Sequence, residues 1–253
     1  MDPRALGNLL VQVRDLLRHH QRIGIRFYPE KERLAHLFTG RRRPSATSRK
    51  QSPVREAVPS DSGSSALHLD AVHKMIRQCR TCSGQERTPV VPAHPRKRPV
   101  SLVVIGDWCR ADRAAGQRWC DRDEDDMLAR MMKAIGVDMG GVYATNIVKC
   151  PGQEEAPDQK TVQRCLGHLE RELAAVRARV VLAMGEFAVA NLLGAEQPLV
   201  RLRGRFYQRV VGGQNTLIMP TFHPHFLLQH EEMKKPAWQD LLRLKGYLSE
   251  NTV

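Results

Sequence analysis

Two pairs of cysteines constrain this chain more than any other feature. Cys79 and Cys82 form a C-x2-C turn, while Cys150 and Cys165 form a wider pair with 14 residues between them. The segment between the pairs reads as strand, loop, helix and strand, so a centre held by all four ties together both ends of an α/β unit. The first residues, Met1–Arg18, mix charges with Leu and Val and lack an apolar signal-peptide core, which leads us to expect a cytoplasmic protein. In a reducing compartment a C-x2-C pair points to metal binding or redox chemistry rather than a structural disulfide. Four thiolates suit a tetrahedral zinc or an iron–sulfur cubane, and the wide second pair favours the larger body.

Length and charge narrow the partners. At 253 residues there is room for one large domain and an appendage. Forty Lys and Arg oppose 27 Asp and Glu, a net charge of +13. Such a surplus suits a polyanion, most simply nucleic acid, because each neutralised phosphate releases counterions. No apolar run approaches a membrane span.

Leu6, Leu9, Leu10, Val13, Leu16 and Leu17 recur at helical spacing, which makes residues 1–39 a helical segment. Residues 40–65 change character: Arg41-Arg42-Arg43-Pro44 leads into Ser, Thr, Lys, Pro and Gly, a basic disordered linker. A compact domain is expected over 66–253. It opens with a helix from Leu67 to about Cys79. Ser101–Ile105 is a continuous apolar run ending in Gly106, as in a buried parallel strand. Then follow a helix over 127–135, a strand over 142–148, a helix capped by Pro157-Asp158 through Arg177, a strand over 179–184 and a helix over 186–193. Strands over 206–211 and 216–219 and a helix over 236–248 complete the series. Alternating strands and helices imply a three-layer α/β/α sandwich with a mostly parallel central sheet, plus the N-terminal helical extension. Ligands bind such sheets at the carboxyl ends of the strands, where Gly106-Asp107, Asn146, Gly185 and the loop after Met219 fall.

The order of motifs is specific. Cys-x2-Cys is followed by a Gly-acid loop, then Val142-Tyr143-Ala144-Thr145-Asn146-Ile147-Val148-Lys149-Cys150, Cys165, Val180–Gly185, Leu202–Arg205 and Met219-Pro220-Thr221-Phe222-His223-Pro224. Over residues 70–248 this resembles the family 4, iron–sulfur uracil-DNA glycosylases. The resemblance implies a [4Fe-4S] cluster on Cys79, Cys82, Cys150 and Cys165, and a monomeric enzyme of DNA repair. Such an enzyme flips uracil, or a related deaminated base, out of single- or double-stranded DNA and hydrolyses its glycosidic bond.

Carried onto this chain, the resemblance makes Asp107 the carboxylate that positions water and favours the cationic transition state. His223 becomes the donor that stabilises the leaving base, and Asn146 the amide that reads its edge. Gly106 allows close approach, and Trp119 supplies the stacking ring, with Cys120 as the alternative register. Arg201, Arg203, Arg205 and His225 are expected to contact DNA, and Phe226 or Leu227 to wedge into the duplex. Asp123–Asp126 reads as an acidic helix start. The first motif departs from the family: Gly106-Asp107-Trp108-Cys109-Arg110 stands where Gly-Glu-Ala-Pro-Gly is usual. Two readings therefore stay open, an active glycosylase and a catalytically impaired iron–sulfur DNA-binding protein of the same fold.

Overall fold

The computed structural model describes residues 68–82, 89–96, 100–110, 119–150, 156–177, 179–195 and 197–251. The helical segment over 1–39, the linker over 40–65 and Gly116–Arg118 lie outside these residues. The described residues belong to one compact unit, 66–253.

Among the described residues five strands form one sheet in the order β2-β1-β3-β5-β4. They are β1 (Leu102–Gly106), β2 (Val142–Asn146), β3 (Val180–Met184), β4 (Tyr207–Val211) and β5 (Gln214–Thr221). Every residue of β1 and β3 is buried. That is why both read as unbroken apolar runs: they are parallel strands covered on both faces. β4 pairs antiparallel with β5. Gly212 and Gly213, with φ of 58° and 76°, make the two-residue turn between them, a conformation matched to hairpin twist.

Among the described residues seven α-helices accompany the sheet: α1 (Leu69–Arg77), α2 (Arg122–Ala134), α3 (Gln159–Val176), α4 (Glu186–Leu193), α5 (Leu199–Leu202), α6 (Pro224–Gln229) and α7 (Lys234–Asn251). Their starts follow local chemistry. Asp158 caps α3 by accepting from Thr161 N–H at 2.7 Å. Asp121 caps α2 by accepting from Glu124 N–H at 2.8 Å, which begins that helix five residues before the expected Met127. The mixed α/β architecture and largely parallel sheet agree with the expected class. No helix among the described residues is long and apolar enough to cross a membrane.

The register positions the site. Gly106 at the end of β1 pairs with Asn146 at the end of β2, and Met184 at the end of β3 pairs with Thr221 at the end of β5. The carboxyl ends of four strands thus lie side by side at one edge of the sheet.

Candidate active site

His223 is the N-cap of α6. Its Nδ1 accepts the His225 backbone N–H at 3.1 Å. A neutral imidazole whose Nδ1 accepts carries its proton on Nε2. Burial pushes the His223 pKa down to about 3, so the ring is neutral at physiological pH. The Nε2–H is buried and has no partner among the described residues.

Asn146 supplies the complementary atom. Its Nδ2 donates to the Trp119 carbonyl at 3.1 Å and lies 3.7 Å from Cys120 Sγ. Because that carbonyl only accepts, the amide orientation is set, and Oδ1 is left buried without a partner. Both unpaired atoms converge on Gly106. A Cβ there would stand 2.5 Å from Asn146 Oδ1 and 3.0 Å from His223 Nε2, and would collide with Trp119 Cζ2. An orphaned buried polar atom costs about 1–3 kcal/mol. A donor and an acceptor facing one point therefore suit a ligand with a carbonyl beside an N–H, as in a cyclic imide.

Trp119 is the ring over Gly106, and Cys120 lies beside it. The indole Nε1 donates to Thr145 O at 2.8 Å, and its ring sits 5.0 Å from the His223 ring, tilted by 35°. Trp108 instead packs edge-on against Phe187 at 4.9 Å, with the Arg110 guanidinium 4.2 Å from its ring centre.

Two carboxylates flank this point in opposite environments. Asp107 is buried against the start of α4, where its Oδ1 accepts from Ala188 N–H at 2.7 Å. Burial raises its pKa to about 7, and the Ala188 bond only partly opposes this. Gly185, at φ 103°, is required there: a Cβ would fall 2.5 Å from Asp107 Oδ1. Asp123, Glu124 and Asp125 form the expected acidic first turn of α2, and of these Glu124 is buried, at 3% exposure. It accepts from His225 Nδ1 at 2.9 Å. Burial, the largest single influence, works against its charge, yet the His225 bond, the Cys120 thiol and the two neighbouring histidines together outweigh it and hold the carboxyl below the usual range. Its acidic neighbours disguise it in the sequence; the α2–α6 contact brings it inside.

Cys120 Sγ, a Glu124 oxygen and His223 Nε2 all lie within 4.8 Å of one another. The His223 tautomer disfavours a cation there, since the atom facing the group carries a proton rather than a lone pair. The four predicted ligand cysteines lie on other elements. Cys79 and Cys82 follow α1, Cys150 follows β2, and Cys165 lies on α3. Arg164 beside Cys165 donates to Thr81 O at 3.1 Å, holding the C-x2-C turn against α3. Burial pushes the Cys165 thiol up, and the Cys82 and Cys79 thiols act in the same direction. An all-thiol donor set suits either tetrahedral zinc or an iron–sulfur cluster.

Behind Asn146 lies a buried network that the sequence did not announce. Lys149 Nζ donates to Thr145 Oγ1 at 2.8 Å, Asn146 O at 2.6 Å and Glu172 Oε2 at 2.5 Å. Tyr143 O–H donates to Glu172 Oε1 at 2.7 Å. One ion pair thus anchors the strand end bearing Asn146 between the sheet and α3.

The predicted DNA contacts divide. Arg201 and Arg205 are exposed. Arg203 turns inward: its Nε donates to Asp240 Oδ2 at 3.0 Å, it donates to Pro236 O, and it lies over the Phe222 ring. His225 is committed to Glu124. Phe226 stacks on Phe222 at 5.3 Å, and Leu227 is buried in the core. Leu227 is therefore unavailable as a wedge, because the α6 phase turns it into the core; the exposed neighbour is Leu228.

A family model described as the uracil DNA glycosylase superfamily matches residues 96–242, a span containing Gly106, Asn146 and His223. The chain belongs to the uracil-DNA glycosylase superfamily. A type-4 uracil-DNA glycosylase of Archaeoglobus fulgidus is 26% identical over 193 residues, 70% of this chain and 91% of that protein. A type-4 enzyme of Pyrobaculum aerophilum is 24% identical over 186 residues, 71% and 94% of the two chains. A type-5 uracil-DNA glycosylase of the same organism is 34% identical over 92 residues, 35% and 38%. In this superfamily member the site thus falls within the matched region, and the similarity to type-4 enzymes spans nearly their full length.

Proposed function

We propose that this superfamily member is a DNA glycosylase of base-excision repair that removes uracil, or a related deaminated base, by hydrolysing its N-glycosidic bond. The observation that carries the proposal is the convergence of the unpaired Asn146 Oδ1 and His223 Nε2–H on Gly106. Uracil presents the matching edge, an N3–H beside the O2 carbonyl.

The target nucleotide is flipped from the stack, because its glycosidic bond is unreachable inside a duplex. Trp119 is displaced from Gly106 to admit the base and stacks on it. Asn146 Oδ1 accepts from N3–H. As the C1′–N1 bond lengthens, charge builds on O2, and the His223 Nε2–H stabilises it. Water adds to C1′, its proton is lost toward Asp107, and uracil leaves as an anion that is protonated on release. With its pKa near 7, Asp107 is partly ionised at neutral pH and so able to take that proton.

Cys79, Cys82, Cys150 and Cys165 would hold a [4Fe-4S] cluster that closes the α1 and α3 ends of the fold around the Asn146 strand. DNA is the partner, met by Arg201, Arg205 and the α6 surface, with the basic segment over 40–65 as a tether between the N-terminal helical segment and a catalytic domain over 66–253. The protein acts as a monomer in the cytoplasm. Release of uracil from an oligonucleotide, lost in His223→Ala, tests the proposal; no release by the wild type sinks it.

A further inference from the structure

Among the acidic residues from Asp121 to Asp126, Glu124 alone is buried. Burying a carboxylate is costly unless it is paired. Its ion-pair partner among the described residues is His225; no Lys or Arg reaches it. That contact spans 101 residues of sequence and joins α2 to α6. A Glu124 oxygen also lies within 4.8 Å of His223 Nε2, the atom aimed at the base pocket. Asp107, in contrast, is bonded to a helix N-terminus, which offsets its charge.

We propose that Glu124 is a second site carboxylate that faces the deoxyribose of the flipped nucleotide and supplies the fixed negative charge that stabilises its oxocarbenium-like cation. This rests on the glycosylase reading above and divides the labour between two carboxylates: Asp107 handles the water, Glu124 the cation. The His223 Nε2–H, within 4.8 Å of a Glu124 oxygen, offsets the carboxylate's charge on the base side, so Glu124 favours the sugar cation without opposing departure of the base. His225 is a positioning residue that holds Glu124 through its Nδ1.

The test uses two oligonucleotides, one with a cationic pyrrolidine at the abasic position and one with neutral tetrahydrofuran, bound to the full-length protein. The wild type is expected to prefer the cationic analogue by about tenfold or more, what one charge pair in a partly solvated site supplies. In Glu124→Gln that ratio falls to about one, and single-turnover uracil release falls roughly a hundredfold. A wild type without the preference, or a Glu124→Gln protein that keeps it, overturns the proposal. Should Glu124→Gln fail to fold, His225→Asn carries the test: an unchanged ratio there overturns the proposal, and a reduced one supports it. If the wild type releases no uracil, the glycosylase reading fails by itself, while the analogue ratio still decides Glu124.

Discussion

The backbone N–H of His225 donates to Nδ1 of His223 over 3.1 Å, and this one contact makes Nε2 a donor. The donor faces Asn146 Oδ1 across the bare Cα of Gly106. A neutral donor suits a base that leaves as an anion, since it stabilises the oxygen without surrendering a proton.

His223→Ala should therefore lower uracil release by roughly 10²–10³-fold, the usual cost of one preorganised donor. Affinity for undamaged DNA should stay within about twofold, because the ring is buried and backbone contacts are made from the surface. Single-turnover release and a binding titration measure the two quantities.

Asp107 sets the pH behaviour. If its ionised form directs water, release climbs as pH rises through about 7, and Asp107→Asn flattens the profile at a low rate. Stability runs the other way. The folded pKa lies above the ordinary carboxyl value, so the group favours folding below about pH 4 and loses that contribution as pH rises through 7. Asp107→Asn should be a few kcal/mol more stable than wild type at pH 8 and indistinguishable near pH 4, as read by urea unfolding.

Gly106→Ala should abolish detectable release while costing only about 1–3 kcal/mol of stability, the range for overpacking a formed core. Its Cβ would occupy the point where the Asn146 and His223 atoms meet. Equal activity of this variant and wild type would move the base pocket elsewhere.

Breaking the Lys149–Glu172 pair should be expensive. Lys149→Met leaves an uncompensated carboxylate among Tyr143 and Thr145, and about 3–5 kcal/mol of stability should be lost. Replacing both residues with Met and Leu should cost less than the single change, as chemical denaturation of the three proteins would show.

Much of this arrangement was legible beforehand. β1 and β3 announce themselves because strands buried on both faces need unbroken apolar runs, and Asn146 and His223 stand at strand ends in ordered motifs. Glu124 was hidden because an inward acid on a first helical turn has the same local pattern as a capping acid; only its contact with His225 separates them. Arg203 reads as a surface cation until Asp240, 37 residues later, is seen to claim it. The Leu227 assignment depended on the phase of a six-residue helix, too short for periodicity to set its buried face.

The most direct measurement is uracil release from a single-stranded oligonucleotide by anaerobically purified wild-type protein, with Asn146→Ala and His223→Ala alongside. The account expects free uracil and an alkali-labile abasic site from the wild type, and a loss of roughly a hundredfold or more in each variant. Intact substrate with the wild type, or release that survives both substitutions, would contradict it.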